Sequence, residues 1–239
     1  DPSQVLDPAD HAALAERVGH DIVTTDGTTL LGADDKAGVA EIMTALAFLA
    51  RDDAPRPTVR VAFTVDEETG HGADHFDVEA FGARCAYTLD GSGLGELETE
   101  TFSAYELHVT FRGVVVHPGT AKGLLVNAVK IAADFVASLP RDGLSPETTE
   151  GREGYVHPRA ISGDGDAVTV ILLVRDHDDG LIDEHEALLR QLAERAAAQD
   201  PRASVSFQRI EQYRNMSNEL RNHPEVVEAA REAIRRLGL

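Results

Sequence analysis

The sequence predicts an α/β fold with a second, α+β unit of ferredoxin-like order inserted into it. Three observations carry this. Val59, Val61, Phe63 and Val65 alternate with other residues, the period of a strand with one buried face, and the run ends in Asp66, Glu67 and Glu68. A second apolar run over residues 84–91 again reaches an acid, Asp90. From about residue 103, strand and helix periodicities succeed one another in the order β-α-β-β-α-β. The divisions that follow are residues 1–103, an inserted unit over 104–212, and a return to the first unit over 213–239.

In chain order, residues 8–18 read as a short helix, and 21–31 as two short strands about a turn at Asp26-Gly27. Val39, Ile42, Met43, Leu46 and Leu49 then recur at helical spacing, so Asp34 and Asp35 stand at a helix start. One Asp suffices there as an N-cap, where acids also suit the positive helix end; the other is free to face the end of the sheet. After the strand over 59–65 come a glycine-punctuated turn at 70–74, a short helical stretch over 76–81 and the strand over 84–91. In the inserted unit Tyr105, Leu107, Val109 and Phe111 alternate as a strand, 122–139 read as a helix, and 155–161 as a short strand. Residues 167–174 form an apolar strand leading to Arg175-Asp176, 181–199 an amphipathic helix, and 203–210 a last alternating strand. Pro224 opens a final helix with Val227, Ala230, Ile234 and Leu237 on one face and Gly238 beyond it.

The chain has 239 residues, 42% of them hydrophobic, enough for one or two domains with a sizeable core. No apolar run is long enough to span a membrane, and no apolar leader is read at Asp1-Pro2. Cys85 is the only cysteine, which excludes an intrachain disulfide and suits a reducing, cytoplasmic compartment. With 42 acids against 22 bases the formal charge is -20, which argues against nucleic acid as a partner. Lys36, Lys122 and Lys130 are the only lysines. An acid-rich, lysine-poor surface fits a salty cytoplasm, and equally an acidic proteome of a GC-rich genome.

Carboxylates at the carboxyl ends of strands stand where open α/β sheets place their ligands. Asp34, the Glu67-Glu68 pair and Asp90 each border an apolar element. A solvated acidic turn or a helix cap would explain any one of them. Several convergent carboxylates repel unless a cation lies among them, so a metal site is the more economical reading. Adjacent side chains point in different directions, which lets Glu68 hold a metal while Glu67 faces a water.

Gly32-Ala33-Asp34-Asp35-Lys36, Asp66-Glu67-Glu68 and Leu89-Asp90-Gly91 resemble the marks of the co-catalytic dizinc exopeptidase family, which includes aminoacylases, glutamate carboxypeptidases and desuccinylases. Val116-His117-Pro118-Gly119-Thr120-Ala121-Lys122-Gly123, Pro146-Glu147-Thr148-Thr149-Glu150-Gly151 and Tyr213-Arg214-Asn215-Met216 resemble the tripeptide aminopeptidases within it. The resemblance runs in order from about Val23 to the end. It implies a zinc-exopeptidase catalytic domain with an α/β/α sheet over 1–103 and 213–239, and a lid and dimerisation domain over 104–212. It further implies two zinc ions per complete subunit, with Asp34 bridging them, Glu68 binding one and Asp90 the other. Glu67 would be the general base. His117, otherwise a surface-loop histidine, would reach the active site, often that of the partner subunit, and steady the oxyanion. Arg175 would take the substrate carboxylate on its fork of donors, the alternative being an ion pair with Asp176 or Asp178. Asn127 would touch substrate or serve helix packing. The implied activity is release of the N-terminal residue from tripeptides, by a homodimer in the cytoplasm.

The sequence departs from the family pattern at both ends. The family supplies a His-x-Asp ligand upstream of the bridging aspartate; here the upstream histidines are His11 and His20, and neither begins that motif. Nor does a Gly-Gly-Thr-Asp-Gly segment and terminal histidine precede Leu239. The expectation is an internal piece of a longer protein that holds three of five ligands. Two alternatives stand beside the tripeptidase: another exopeptidase or deacylase of the family, and a catalytically silent dimerisation or peptide-binding piece.

Overall fold

A computed structural model describes residues 5–51, 53–91 and 93–239, and the chain divides into two units, residues up to 96 and residues from 97. The expected order is present in the second unit. Strand β1 (Ser103–Arg112) leads to helix α4 (Ala128–Ser138), then β2 (Tyr155–Gly163), β3 (Ala167–Asp176), α5 (Asp179–Ala197) and β4 (Ser204–Tyr213). All three strand pairings are antiparallel, in the sheet order β2-β3-β1-β4, which is the ferredoxin-like arrangement. The chain continues through α6 (Ser217–Leu220) into α7 (Pro224–Arg236), which starts at the proline that predicted it.

Alternation builds the core of this unit. Tyr105, Leu107, Val109 and Phe111 of β1, with Val168, Val170, Leu172 and Val174 of β3, are buried on one face of the sheet. Ala128, Ile131, Ala132 and Phe135 of α4 and Ile182, Leu189, Ala193 and Ala196 of α5 belong to the same cluster. The Phe111 and Phe135 rings lie 5.4 Å apart at 52°, a tilted pair. The other face carries the polar set: Thr110 and Thr169 share a hydrogen bond of 2.9 Å, and Glu106 meets Arg159 at 3.1 Å and His108 at 3.0 Å. At Gly113 a Cβ would stand 2.1 Å from the Val126 carbonyl oxygen, so only glycine admits the bridge between Val114 and Val126.

Helix α4 begins at Ala128, six residues inside the predicted start, because Asn127 caps it: its Oδ1 accepts from the amides of Val129 (2.9 Å) and Lys130 (3.3 Å). Asn215, of the Tyr-Arg-Asn-Met motif, is buried and fully engaged. Its Oδ1 accepts from the amides of Thr101 and Ser217, its Nδ2 donates to the His177 carbonyl, and its amide donates to Ser103 Oγ. Ser103 Oγ donates to Asp179 in turn, and Asn218 and Arg214 also donate to that carboxylate.

The first unit holds α1 (Ala12–Ala15), α2 (Ala33–Leu49), a 3₁₀ turn at Glu67–Thr69 and α3 (Val78–Phe81). Helix α2 matches its apolar spacing, and α1 is shorter than the expected 8–18. The segments 21–31, 59–65 and 84–91, expected as strands, carry no regular secondary structure. The physical reason is that they enter no ladder: the described strand pairings all lie in the second unit. A parallel sheet needs ladders from strands distant in sequence and cover on both faces. Among the described residues of this unit only Gly38 is buried, and Phe63 and Val65 remain 52% and 77% exposed.

Two outcomes are expected. The Asp179 carboxyl is held below its usual range by the Ser103 hydroxyl first, then by Asn218 and Arg214. A depressed folded-state pKa contributes stability above the unfolded value of about 4, lost as pH falls through the folded value. Urea midpoints of the chain should therefore decline on the acid side, and Asp179→Asn should flatten that decline; parallel curves would reject the role. Asn127→Ala should cost about 0.5–2 kcal/mol in urea unfolding, while Asn127→Asp, itself a good cap, should retain the stability.

Candidate functional site

The start of α2 is where acids converge in the first unit. Gly32 enters with a left-handed φ of 64°, and Asp34 and Asp35 keep non-helical backbone angles before the helix settles; the peptide bond between them is cis. Asp35 Oδ1 accepts from the Gly38 amide at 2.9 Å, the capping role expected of one aspartate. The other is turned elsewhere. Asp90 shares a hydrogen bond with Asp34, and its carboxyl is pushed up by loss of water first, then by the charges of Asp34 and Asp35. Gly38 makes this approach possible, since a Cβ there would stand 2.4 Å from the Leu89 carbonyl oxygen and 2.6 Å from the Asp35 carboxylate. Asp34, Asp35 and Asp90, from two separate segments, are thus brought together.

Glu67 and Glu68 form the 3₁₀ turn and are exposed. Asp66 precedes them with φ of 61°, a left-handed conformation that Asp tolerates, and its carbonyl accepts from Thr69 Oγ1 (2.9 Å) and the His71 amide (3.1 Å). The turn does not join the aspartates. Among the described residues no group of three or more His, Cys, Asp or Glu side chains is placed to hold a metal ion. The donors are oxygens suited to a divalent cation, but this arrangement does not assemble them into a metal centre.

In the second unit His117 is exposed and caps the short 3₁₀ turn Pro118–Thr120, its Nδ1 accepting from the Gly119 amide at 3.1 Å. Asn127 caps α4, as described. Arg175, at the end of β3 on the open face of the sheet, forms neither of the two ion pairs weighed for it. Asp176 is buried against His185 at 2.8 Å, and Asp178 caps α5 by accepting from the Gly180 amide at 2.7 Å. Arg175 instead donates through Nη1 to the carbonyls of Val174 (3.0 Å) and Tyr105 (3.3 Å), and through Nη2 to Gln212 Oε1 at 2.6 Å. No hydrogen bond or ion pair links His117, Asn127 and Arg175 among the described residues.

Sequence reasoning missed a cleft of about 530 Å³ in the second unit, lined in part by Glu98, Glu100, Phe102, Arg152, His177 and Tyr213. His177 lies against Phe102, ring centroids 4.2 Å apart, and its buried Nδ1 stands 3.9 Å from Glu100. The available signal was the histidine directly after Arg175-Asp176, at the end of an apolar strand.

Residues 99–201 match the peptidase dimerisation domain family. The peptidase T of Citrobacter koseri is 46% identical over 233 residues, which are 97% of this chain and 57% of that protein. The peptidases T of Salmonella arizonae and Salmonella typhimurium are 44% identical over the same shares. The chain thus spans under three-fifths of the length of these curated relatives. Among solved structures, a tripeptidase from Staphylococcus aureus superimposes with a TM-score of 0.71 at 26% identity, covering 90% of this chain and 57% of that one. An aminopeptidase from Bacillus cereus gives 0.63 at 27% identity, covering 80% and 51%. The α/β fold with its lid-type unit is borne out by these likenesses. Along 97% of its length this chain is similar to peptidase T, and residues 99–201 match the peptidase dimerisation domain family.

Proposed function

We propose that this chain serves a zinc-dependent aminopeptidase that releases the N-terminal residue from tripeptides. The supporting observation is 44–46% identity to peptidase T over 97% of the chain. Convergence of Asp34, Asp35 and Asp90 in the first unit agrees with it. We assign residues 1–103 and 213–239 to the catalytic domain and 104–212 to the lid and dimerisation domain. Asp34, Glu68 and Asp90 are the carboxylates assigned to two zinc ions, and Glu67 is the base that takes the proton of the attacking water. Exposure of Glu67 leaves its carboxylate open to that water. His117 steadies the oxyanion, Arg175 receives the peptide's terminal carboxylate, and Asn127 flanks the substrate. The matched dimerisation domain supports a homodimer. No described helix is long and apolar enough to cross a membrane, and we place the enzyme in the cytoplasm.

One observation favours a second reading for the 239-residue chain by itself: no described group of side chains is placed to hold a metal. Alone, it would be a silent dimerisation or peptide-binding piece. One experiment decides between them. Tripeptide hydrolysis is measured with added zinc for this chain and for a protein of the relatives' length that carries it. The longer protein should turn over within the usual enzymatic range of about 1 to 10³ per second, and this chain far below it. In the longer protein Glu67→Gln should lower kcat by roughly 10²–10⁴ with zinc content unchanged, whereas Glu68→Gln should shed zinc. Zinc loss from Glu67→Gln alone would mean that the two roles are reversed. Full activity of both variants would end the peptidase reading.

A further inference from the structure

We propose that Gln212 is a positioning residue that aims the Arg175 guanidinium, leaving its Nε–H edge free for the terminal carboxylate of a peptide. This rests on the reading above in which Arg175 receives that carboxylate.

Ala104 of β1 faces Tyr213 of β4, but the next residue, Tyr105, faces Glu211, so Gln212 is the extra residue of a β-bulge. A bulge takes one side chain out of the alternation of its strand and re-aims it. Gln212 Oε1 reaches Arg175 Nη2 at 2.6 Å although β3 lies two places from β4, with β1 between them. The β1 residue at the crossing, opposite Arg175 on one side and Tyr213 on the other, is Ala104. A methyl group leaves room for two long side chains to meet above it.

The donors of the guanidinium point the same way. It has five N–H groups. Nη1 is committed to the Tyr105 and Val174 carbonyls and one Nη2 donor to Gln212, which among the described residues leaves Nε–H and one Nη2–H. Charge agrees with this. Arg175 is flanked by Asp176 and Asp178 in sequence, in a chain with 42 acids, yet its hydrogen bonds among the described residues go to neutral oxygens. Arg209, on the same strand as Gln212, is by contrast neutralised by Glu186 and Glu211, each at 2.6 Å. A neutral amide holds Arg175 without cancelling its charge. The residue is partly exposed, with the Tyr213 ring 5.8 Å from Cζ, so an anion can approach.

The test uses the 239-residue chain and NMR. The Arg175 Nε–H resonance is followed while Ala-Ala-Ala, or its C-terminal amide, is added. The free acid should move the resonance and the amide should not. Gln212→Ala should weaken binding of the free acid roughly tenfold, the worth of one charge-assisted hydrogen bond, with the amide response unchanged. Gln212→Glu, which sets a carboxylate on the guanidinium, should abolish the response. Backbone amide spectra that overlay wild type away from β4 separate these effects from misfolding. Should both variants bind the free acid as wild type does, the positioning role is wrong while the Arg175 reading stands. Should Arg175→Met bind the free acid unchanged, or the free acid leave the wild-type resonance in place, the carboxylate reading fails and the proposal with it.

Discussion

The alternation of β3 is the constraint on which the second unit depends. Val168, Val170, Leu172 and Val174 face the helices; Thr169, Ile171, Leu173 and Arg175 face the other way. Because the side-chain period of a strand is two, a slip of one residue would drive Arg175 into the apolar layer and turn Leu172 out of it. Two neighbours prevent that slip. β1 pairs with β3 continuously from Ser103↔Asp176 to Arg112↔Ala167, and β2 pairs along the other edge with one irregularity near Pro158. Burial of the core and presentation of Arg175 on the open face are therefore a single event.

The charges of this unit follow from the same layering. On the helix side Arg209 lies over the Tyr105 ring at 4.1 Å and Arg190 over Phe207 at 4.4 Å, and both share Glu186. Burial works against the Arg209 charge, and the carboxylates of Glu186, Asp183 and Glu211 more than offset it. The buried Tyr105 hydroxyl is pushed up by loss of water first, then by Glu186. Arginine stems here extend the apolar layer while their heads meet acids. The open face is different in kind: Glu106 is matched locally by Arg159 and His108, and Arg175 is left to neutral oxygens.

What could be read in advance followed from how local the physics is. The β-α-β-β-α-β order was readable because antiparallel strands pair with neighbours close in the chain, and their alternation is written in Tyr105 to Phe111 and Val168 to Val174. The cap at the start of α2 was readable because an aspartate at a helix start has a local partner, the Gly38 amide. The start of α4 was misplaced because the apolar period alone does not reveal that Asn127 ends the preceding loop. Gln212 was invisible: a bulge breaks the period on which strand reading relies, and only the register of the partner strand exposes it. In the first unit the runs at 59–65 and 84–91 have strand periodicity but no ladder, since their partners must come from elsewhere in sequence. For the site, the periods placed Asp34 and Asp90 at element ends, and the structure brings the two together; Glu67 and Glu68 stay apart from them on their own turn.

That meeting of aspartates is the feature of the first unit that ordinary helix capping does not explain. Capping needs one carboxylate, and Asp35 supplies it through the Gly38 amide. Asp34 and Asp90 are then surplus, and placing them side by side raises the Asp90 carboxyl through lost water and like charge. Loss of water and like charge both disfavour the ionised Asp90 carboxylate, so its proton is held more firmly than on an isolated aspartate. The contact is fixed by packing at one position. Gly38 is the buried glycine whose missing Cβ lets the Leu89 carbonyl approach the helix, and any side chain there would push the 89–90 segment outward and part Asp90 from Asp34. The electrostatic tension of the site is therefore built in by a steric choice within α2 itself, made at Gly38, four residues after Asp34.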